Sequence, residues 1–159
     1  MDSVSTALDP DSRTVLLPDA AATHALGFQL GRALTEGDVV CLVGGLGAGK
    51  TTLARGVIEA WTGYGEEAPS PTYTLVQTYE GDKGALWHAD LYRLKHAGEA
   101  YELGLDEAFA TAACLIEWPE RLEGALPAER LEIALAPQGE GRRAVLTGHG
   151  AWGARLHAI

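Results

Sequence analysis

The residues with the clearest chemical meaning are Gly44-Gly45-Leu46-Gly47-Ala48-Gly49-Lys50-Thr51. They match G-x-x-x-x-G-K-[ST], the spacing of a phosphate-binding loop. Glycines let the backbone curl so that successive N–H groups point inward as an anion nest. The helix that follows adds its partial positive charge. Lys50 neutralises β- and γ-phosphate oxygens, and the Thr51 hydroxyl is placed to ligate Mg²⁺. The competing reading is a glycine-rich turn that binds nothing. It explains neither the Lys-Thr pair nor the flanks.

Such a loop needs a carboxylate at the end of a second buried strand, to hold Mg²⁺ directly or through water. Two residues qualify. Glu117 ends the apolar run Ala113-Cys114-Leu115-Ile116, and Asp90 ends Ala85-Leu86-Trp87-His88-Ala89. Periodicity prefers Glu117 for the central strand, while either acid could instead be a cap. Ser70-Pro71-Thr72 is a third candidate, either a switch near the γ-phosphate or a rigid turn. Trp118 packs near the nucleotide or staples the strand end. His88 reads as a satisfied structural histidine.

These side chains need elements to hold them. Val39–Val43 reads as a buried strand entering the loop, and Thr52–Trp61 as the helix leaving it. Arg13–Leu17 reads as a first strand. Asp19 caps a helix to about Leu34, with Leu26, Leu30 and Leu34 on one face. The Gly/Pro-rich stretch 62–71 is an exposed, mobile loop. Strands at 73–79 and 85–89 form a hairpin around the turn 80–84. Residues 96–109 are helical, and 112–116 form a strand covered on both faces. A second hairpin pairs 130–136 with 143–148, and a short tail helix ends the chain. Helix-separated strands with added hairpins predict an α/β fold. It is a three-layer phosphate-loop sandwich with a mixed, mainly parallel sheet. Residues 1–12 are expected to be a flexible N-terminus and 13–159 one domain.

With 159 residues and 47% hydrophobic content, a sizeable core is possible. No apolar stretch reaches membrane-span length, and the N-terminus has no signal-peptide pattern. Cys41 and Cys114 sit in apolar runs and read as buried thiols of a reducing cytoplasm. The net charge of −10 makes unaided nucleic-acid binding a poor fit. Arg142-Arg143 is the only basic pair.

Four blocks in order carry a resemblance. They are Gly47-Ala48-Gly49-Lys50-Thr51-Thr52, Ser70-Pro71-Thr72-Tyr73-Thr74-Leu75-Val76, His88-Ala89-Asp90-Leu91-Tyr92-Arg93-Leu94 and Leu115-Ile116-Glu117-Trp118-Pro119-Glu120. The sequence resembles the bacterial TsaE (YjeE) ATPases, which take part in threonylcarbamoyladenosine modification of tRNA. The resemblance implies ATP and Mg²⁺ as cofactors and weak ATP hydrolysis. The partners it implies are a tRNA threonylcarbamoyltransferase catalytic subunit and its paralogous scaffold partner, with tRNA reached only through that complex. By similarity, Gly45, Leu46, Gly47, Ala48, Gly49, Lys50, Thr51 and Thr52 hold the nucleotide, with Trp118, Gly141 and Arg142. Thr51 and Glu117 ligate Mg²⁺. Lys50, Asp90, Thr72 and Glu117 form the implied catalytic set. One position departs from the pattern: Gly45 stands where the family usually has an acid, which bears on water positioning or partner contact. The alternative activity is a small-molecule kinase. Its loop would be the same, but no Arg-rich lid segment follows the second acidic strand.

Overall fold

Strand β2 (Val39–Val43) lies at the centre of the protein, and four of its residues are almost or wholly removed from solvent. The computed structural model describes residues 11–45, 47–63 and 75–159. Around β2 is one seven-stranded sheet. Its other strands are β1 (Ser12–Leu17), β3 (Val76–Gly81), β4 (Gly84–Asp90), β5 (Ala113–Glu117), β6 (Arg130–Gln138) and β7 (Gly141–His149). The order is β1-β7-β6-β2-β5-β4-β3. Strands β6, β2, β5 and β4 are parallel, and β3, β7 and β1 join by antiparallel pairing. The mixed sheet with a mainly parallel core is the one the sequence predicts.

Helices α1 (Ala20–Ala33) and α2 (Lys50–Thr62) cover one face. Leu26, Leu30 and Leu34 from the α1 segment meet Leu53, Val57 and Trp61 of α2 over Val40, Leu42, Leu115 and Ile133. The other face holds Val39, Cys41, Cys114 and Ile116. Short helices α3 (Glu99–Glu102) and α4 (Leu105–Thr111) close it with Ala100, Leu105 and Ala108. Two apolar clusters on opposite faces make the three layers. Burial pushes both thiols, Cys41 and Cys114, up to about 12, so they pack as small apolar groups. A last helix, α5 (Trp152–Arg155), packs Trp152 into the first cluster.

Where α1 crosses α2, the backbones nearly touch. A Cβ on Gly27 would lie 2.1 Å from the Leu53 carbonyl oxygen, and one on Gly56 would lie 2.2 Å from that of His24. The absent side chains let α1 lie close against the helix that begins at the phosphate loop. His24 Nε2 and Glu59 Oε2, 2.8 Å apart, link the same two helices.

Several boundaries differ from the sequence reading. Helix α2 starts at Lys50, not Thr52, because Gly49 acts as its N-cap and accepts from the Leu53 amide. The hairpin ladder runs through Glu80 and Gly81 to Ala85 and Gly84, leaving a turn of only Asp82-Lys83. Gly84, at φ +118°, permits that tight return. The helical region 96–109 divides into α3 and α4 at Gly104, whose φ is +84°. The first strand begins at Ser12, inside the segment expected to be loose. The stretch 62–71, expected to be a mobile loop, falls largely outside the described residues.

Candidate phosphate-binding site

Parallel strands bring their carboxyl ends to one edge of the sheet, where ligands of open α/β folds bind. Here β2 ends in the glycine loop, β5 ends in Glu117 and β4 ends in Asp90. Leu42 stands level with Glu117, and Glu117 level with Asp90. Paired residues of parallel strands share a face, so both acids lie on the α2 side, beside Lys50.

The loop turns through left-handed glycines. Gly44 has φ +152°, and a Cβ there would meet the Leu135 carbonyl oxygen at 2.7 Å. Gly49, at φ +103°, caps α2 without a side chain and leaves the helix N-terminus bare. Lys50 is only 5% exposed. Its Nζ donates to the Gly44 carbonyl oxygen at 2.7 Å and lies 3.7 Å from the centre of the Trp118 ring. Burial lowers the Lys50 pKa, while the charges of Glu117, Asp90 and Glu120 oppose that shift. The ammonium is therefore a buried cation facing acids, and phosphate oxygens could replace the Gly44 carbonyl as its partner.

The two acids differ. Glu117 is 4% exposed, and His88 Nε2 lies 2.6 Å from its Oε2. Asp90 is half-buried and accepts from the Tyr92 amide through Oδ1. Burial raises the Asp90 pKa. The Tyr92 amide opposes this, the Glu117 charge adds to it, and His88 and Lys50 oppose it. A carboxylate shifted upward in this way is a better proton acceptor than an exposed one.

Trp118 adopts left-handed backbone angles, φ 59° and ψ 53°. That conformation costs a non-glycine residue about 1–3 kcal/mol. It aims the indole under Lys50. Tyr92 packs against the indole at a ring distance of 4.9 Å, and Arg121 lies over Tyr92. So Trp118 both lines the site and ends the strand.

Arg142 reaches the loop from β7. Its Nε donates to the Ala48 carbonyl oxygen at 3.1 Å and its Nη2 to that of Gly47 at 3.0 Å. A trans peptide points its N–H opposite to its C=O. Holding the Ala48 carbonyl outward therefore turns the Gly49 N–H the other way. Arg142 thus meets the loop, whereas Gly141 packs against Leu17 and Pro18. Thr51 lies exposed at the start of α2 and Thr52 is half-buried. Leu46 and Thr72 lie outside the described residues. Beyond Gly49 and Thr52 is a cavity of about 250 Å³ lined by Asp19, Ala20, Thr23, Glu140, Gly141 and Arg142. Sequence reading assigned Asp19 only to helix capping, which it does perform, and did not find Thr23 or Glu140. No local pattern marks them, because the cavity forms only where α1 and the β6–β7 turn meet.

A family model described as Threonylcarbamoyl adenosine biosynthesis protein TsaE matches residues 17–145. The chain belongs to the TsaE family. The TsaE match runs from the end of β1 into β7 and includes every described residue of the site. A Rickettsia felis protein named tRNA threonylcarbamoyladenosine biosynthesis protein TsaE is 38% identical, covering 81% of this chain and 75% of that protein. Its namesake from Treponema pallidum is 39% identical, over 79% of this chain and 93% of its own length. The crystal structure of YdiB from Bacillus subtilis superposes with a TM-score of 0.75 at 30% identity, covering 92% of each chain. Family membership places the protein in tRNA threonylcarbamoyladenosine biosynthesis. No helix among the described residues is long and apolar enough to cross a membrane.

Proposed function

We propose that this TsaE-family chain binds Mg²⁺–ATP and hydrolyses it slowly, as the switch or reset subunit of a tRNA-modifying assembly. One observation carries the reading: the glycine loop holds a buried Lys50 in the field of the strand-end acids Glu117 and Asp90, at the bare N-terminus of α2. The triphosphate would lie along the loop amides, and Lys50 would exchange the Gly44 carbonyl for phosphate oxygens. The nucleoside would extend past Gly49 and Thr52 into the cavity beside Asp19, Thr23 and Arg142.

The donor set fits Mg²⁺. Among the described residues no three His, Cys, Asp or Glu side chains converge as a metal cage. Mg²⁺ is held instead by one or two hard oxygen ligands, phosphates and water. Thr51 and Glu117 supply such oxygens. The bound ion would offset charge on the phosphates. Asp90, with its raised pKa, would orient a water molecule and accept its proton as the water oxygen attacks the γ-phosphorus and ADP leaves. Trp118 would wall the site from one side.

Slow turnover follows from an incomplete set of charges around the γ-phosphate. The partners fitting this reading are the threonylcarbamoyltransferase catalytic subunit and its scaffold paralogue. They would complete the site, and Thr72 would join it. The acidic chain would meet tRNA only through that complex, in the cytoplasm.

The test is ATP turnover by the parent and Lys50→Ala, alone and with the partner proteins and tRNA. The expected result is slow parental hydrolysis, none from Lys50→Ala, no phosphate transfer to nucleosides or sugars, and dependence of multiple-turnover tRNA modification on this chain. Equal yields over many cycles without it would overturn the switch role. Phosphate transfer to a small acceptor would establish the kinase.

A further inference from the structure

Lining β4 on its α2 face are Leu86, His88 and Asp90, opposite Ala113, Leu115 and Glu117 of β5. His88 therefore interrupts an apolar row. It is 2% exposed, its Nε2 lies 2.6 Å from Glu117 Oε2, and its Nδ1 has no partner among the described residues. Leucine at this position would bury no polar atom, so packing alone does not account for a histidine.

We infer that His88 is a positioning residue: its Nε2–H fixes Glu117 Oε2 and turns the other carboxylate oxygen toward a divalent cation. The inference rests on the proposed Mg²⁺–nucleotide site. The orphan Nδ1 determines the tautomer. A proton on Nδ1 would be a buried donor without an acceptor, and would leave the Nε2 lone pair facing a carboxylate lone pair. With the proton on Nε2, the only unpaired atom is an acceptor, and one strong bond forms. Strand β4 thus contributes twice, with Asp90 at the strand end and His88 one pleat repeat behind it. The same division of labour orients ligating carboxylates in metal sites, where the outer partner fixes the inner one.

The test compares ADP affinity in EDTA with that in saturating Mg²⁺. In His88→Phe the Mg²⁺-dependent gain should fall about 10- to 100-fold, with EDTA affinity within about twofold of the parent. His88→Gln places an amide donor near Nε2 and should keep most of the gain. Should His88→Phe not fold, His88→Asn replaces it, because its shorter amide cannot reach Glu117. In the parent, nitrogen-15 NMR should show the His88 proton on Nε2. A proton on Nδ1, or an undiminished Mg²⁺ gain in the Phe or Asn variant, would overturn the inference and leave the site reading intact. A parent with no Mg²⁺ gain at all would overturn the site reading itself, and this inference with it.

Discussion

Arg142→Ala tests whether the loop is held from outside. The guanidinium donates to the Ala48 and Gly47 carbonyl oxygens, 94 and 95 residues away in sequence. A hydrogen bond from a charged donor is worth about 1.5–3 kcal/mol net. The Gly47 bond is exposed and belongs below that range. Together they favour the ordered loop by about 2–3 kcal/mol, which makes nucleotide binding about 30- to 150-fold weaker when they are lost. Arg142 also lines the cavity proposed for the nucleoside, so a weaker ATP complex alone would be ambiguous. Tripolyphosphate resolves it, because it has no nucleoside. Calorimetric titration should show both ligands weakened by a similar factor. Arg142→Lys should recover only part of the loss, because a point charge cannot fork between two carbonyls. Tripolyphosphate binding at parental strength in Arg142→Ala would refute the argument that Arg142 acts through the loop.

Gly45 is exposed, with no atom of the described residues within 4 Å of a Cβ placed there. Gly45→Glu should keep unfolding free energy within about 0.5 kcal/mol and raise basal ATP turnover by about 100-fold, the low end for a positioned carboxylate. An unchanged rate would show that the missing acid at Gly45 does not limit the proposed hydrolysis. Gly27→Ala forces a methyl group into the Leu53 carbonyl at the α1–α2 crossing and should cost about 1–3 kcal/mol in a urea titration. An unshifted midpoint would show that the helices separate freely.

Asp38→Asn bears on acid stability. Burial tends to raise the Asp38 pKa, but the two Arg155 contacts at 2.7 and 2.8 Å and the Thr35 amide outweigh it and hold it below 3.8. A depressed folded pKa contributes stability above the unfolded value and loses it as pH falls through the folded one. The parent should therefore unfold at a higher temperature than the variant at pH 7, with the gap closing below about pH 4. A constant gap across that range would show that the Asp38 charge is not what stabilises the fold.

Much of this protein is written locally. The glycine loop is legible because backbone angles, the Lys-Thr pair and the flanking elements all lie within a few residues of one another. Strand β5 is legible because a strand buried on both faces needs an unbroken apolar run, and Ala113–Ile116 supplies one. Helix α1 shows in its leucine spacing and its Asp19 cap, and the hairpins show in their turn residues. Tertiary structure decided the rest. His88 became the partner of Glu117 because β4 pairs with β5 in a register that sets Asp90 against Glu117. Trp118 came beneath Lys50, and Arg142 behind Ala48, because β5 and β6 flank β2 and β7 follows β6. Helices α1 and α2 touch because glycines from segments some 30 residues apart coincide at one crossing. A motif fixes the conformation of its own few residues. Which strand ends become neighbours depends on the order and register that bury both faces of the whole sheet, and that choice assembled the acids, the histidine and the clamp around Lys50.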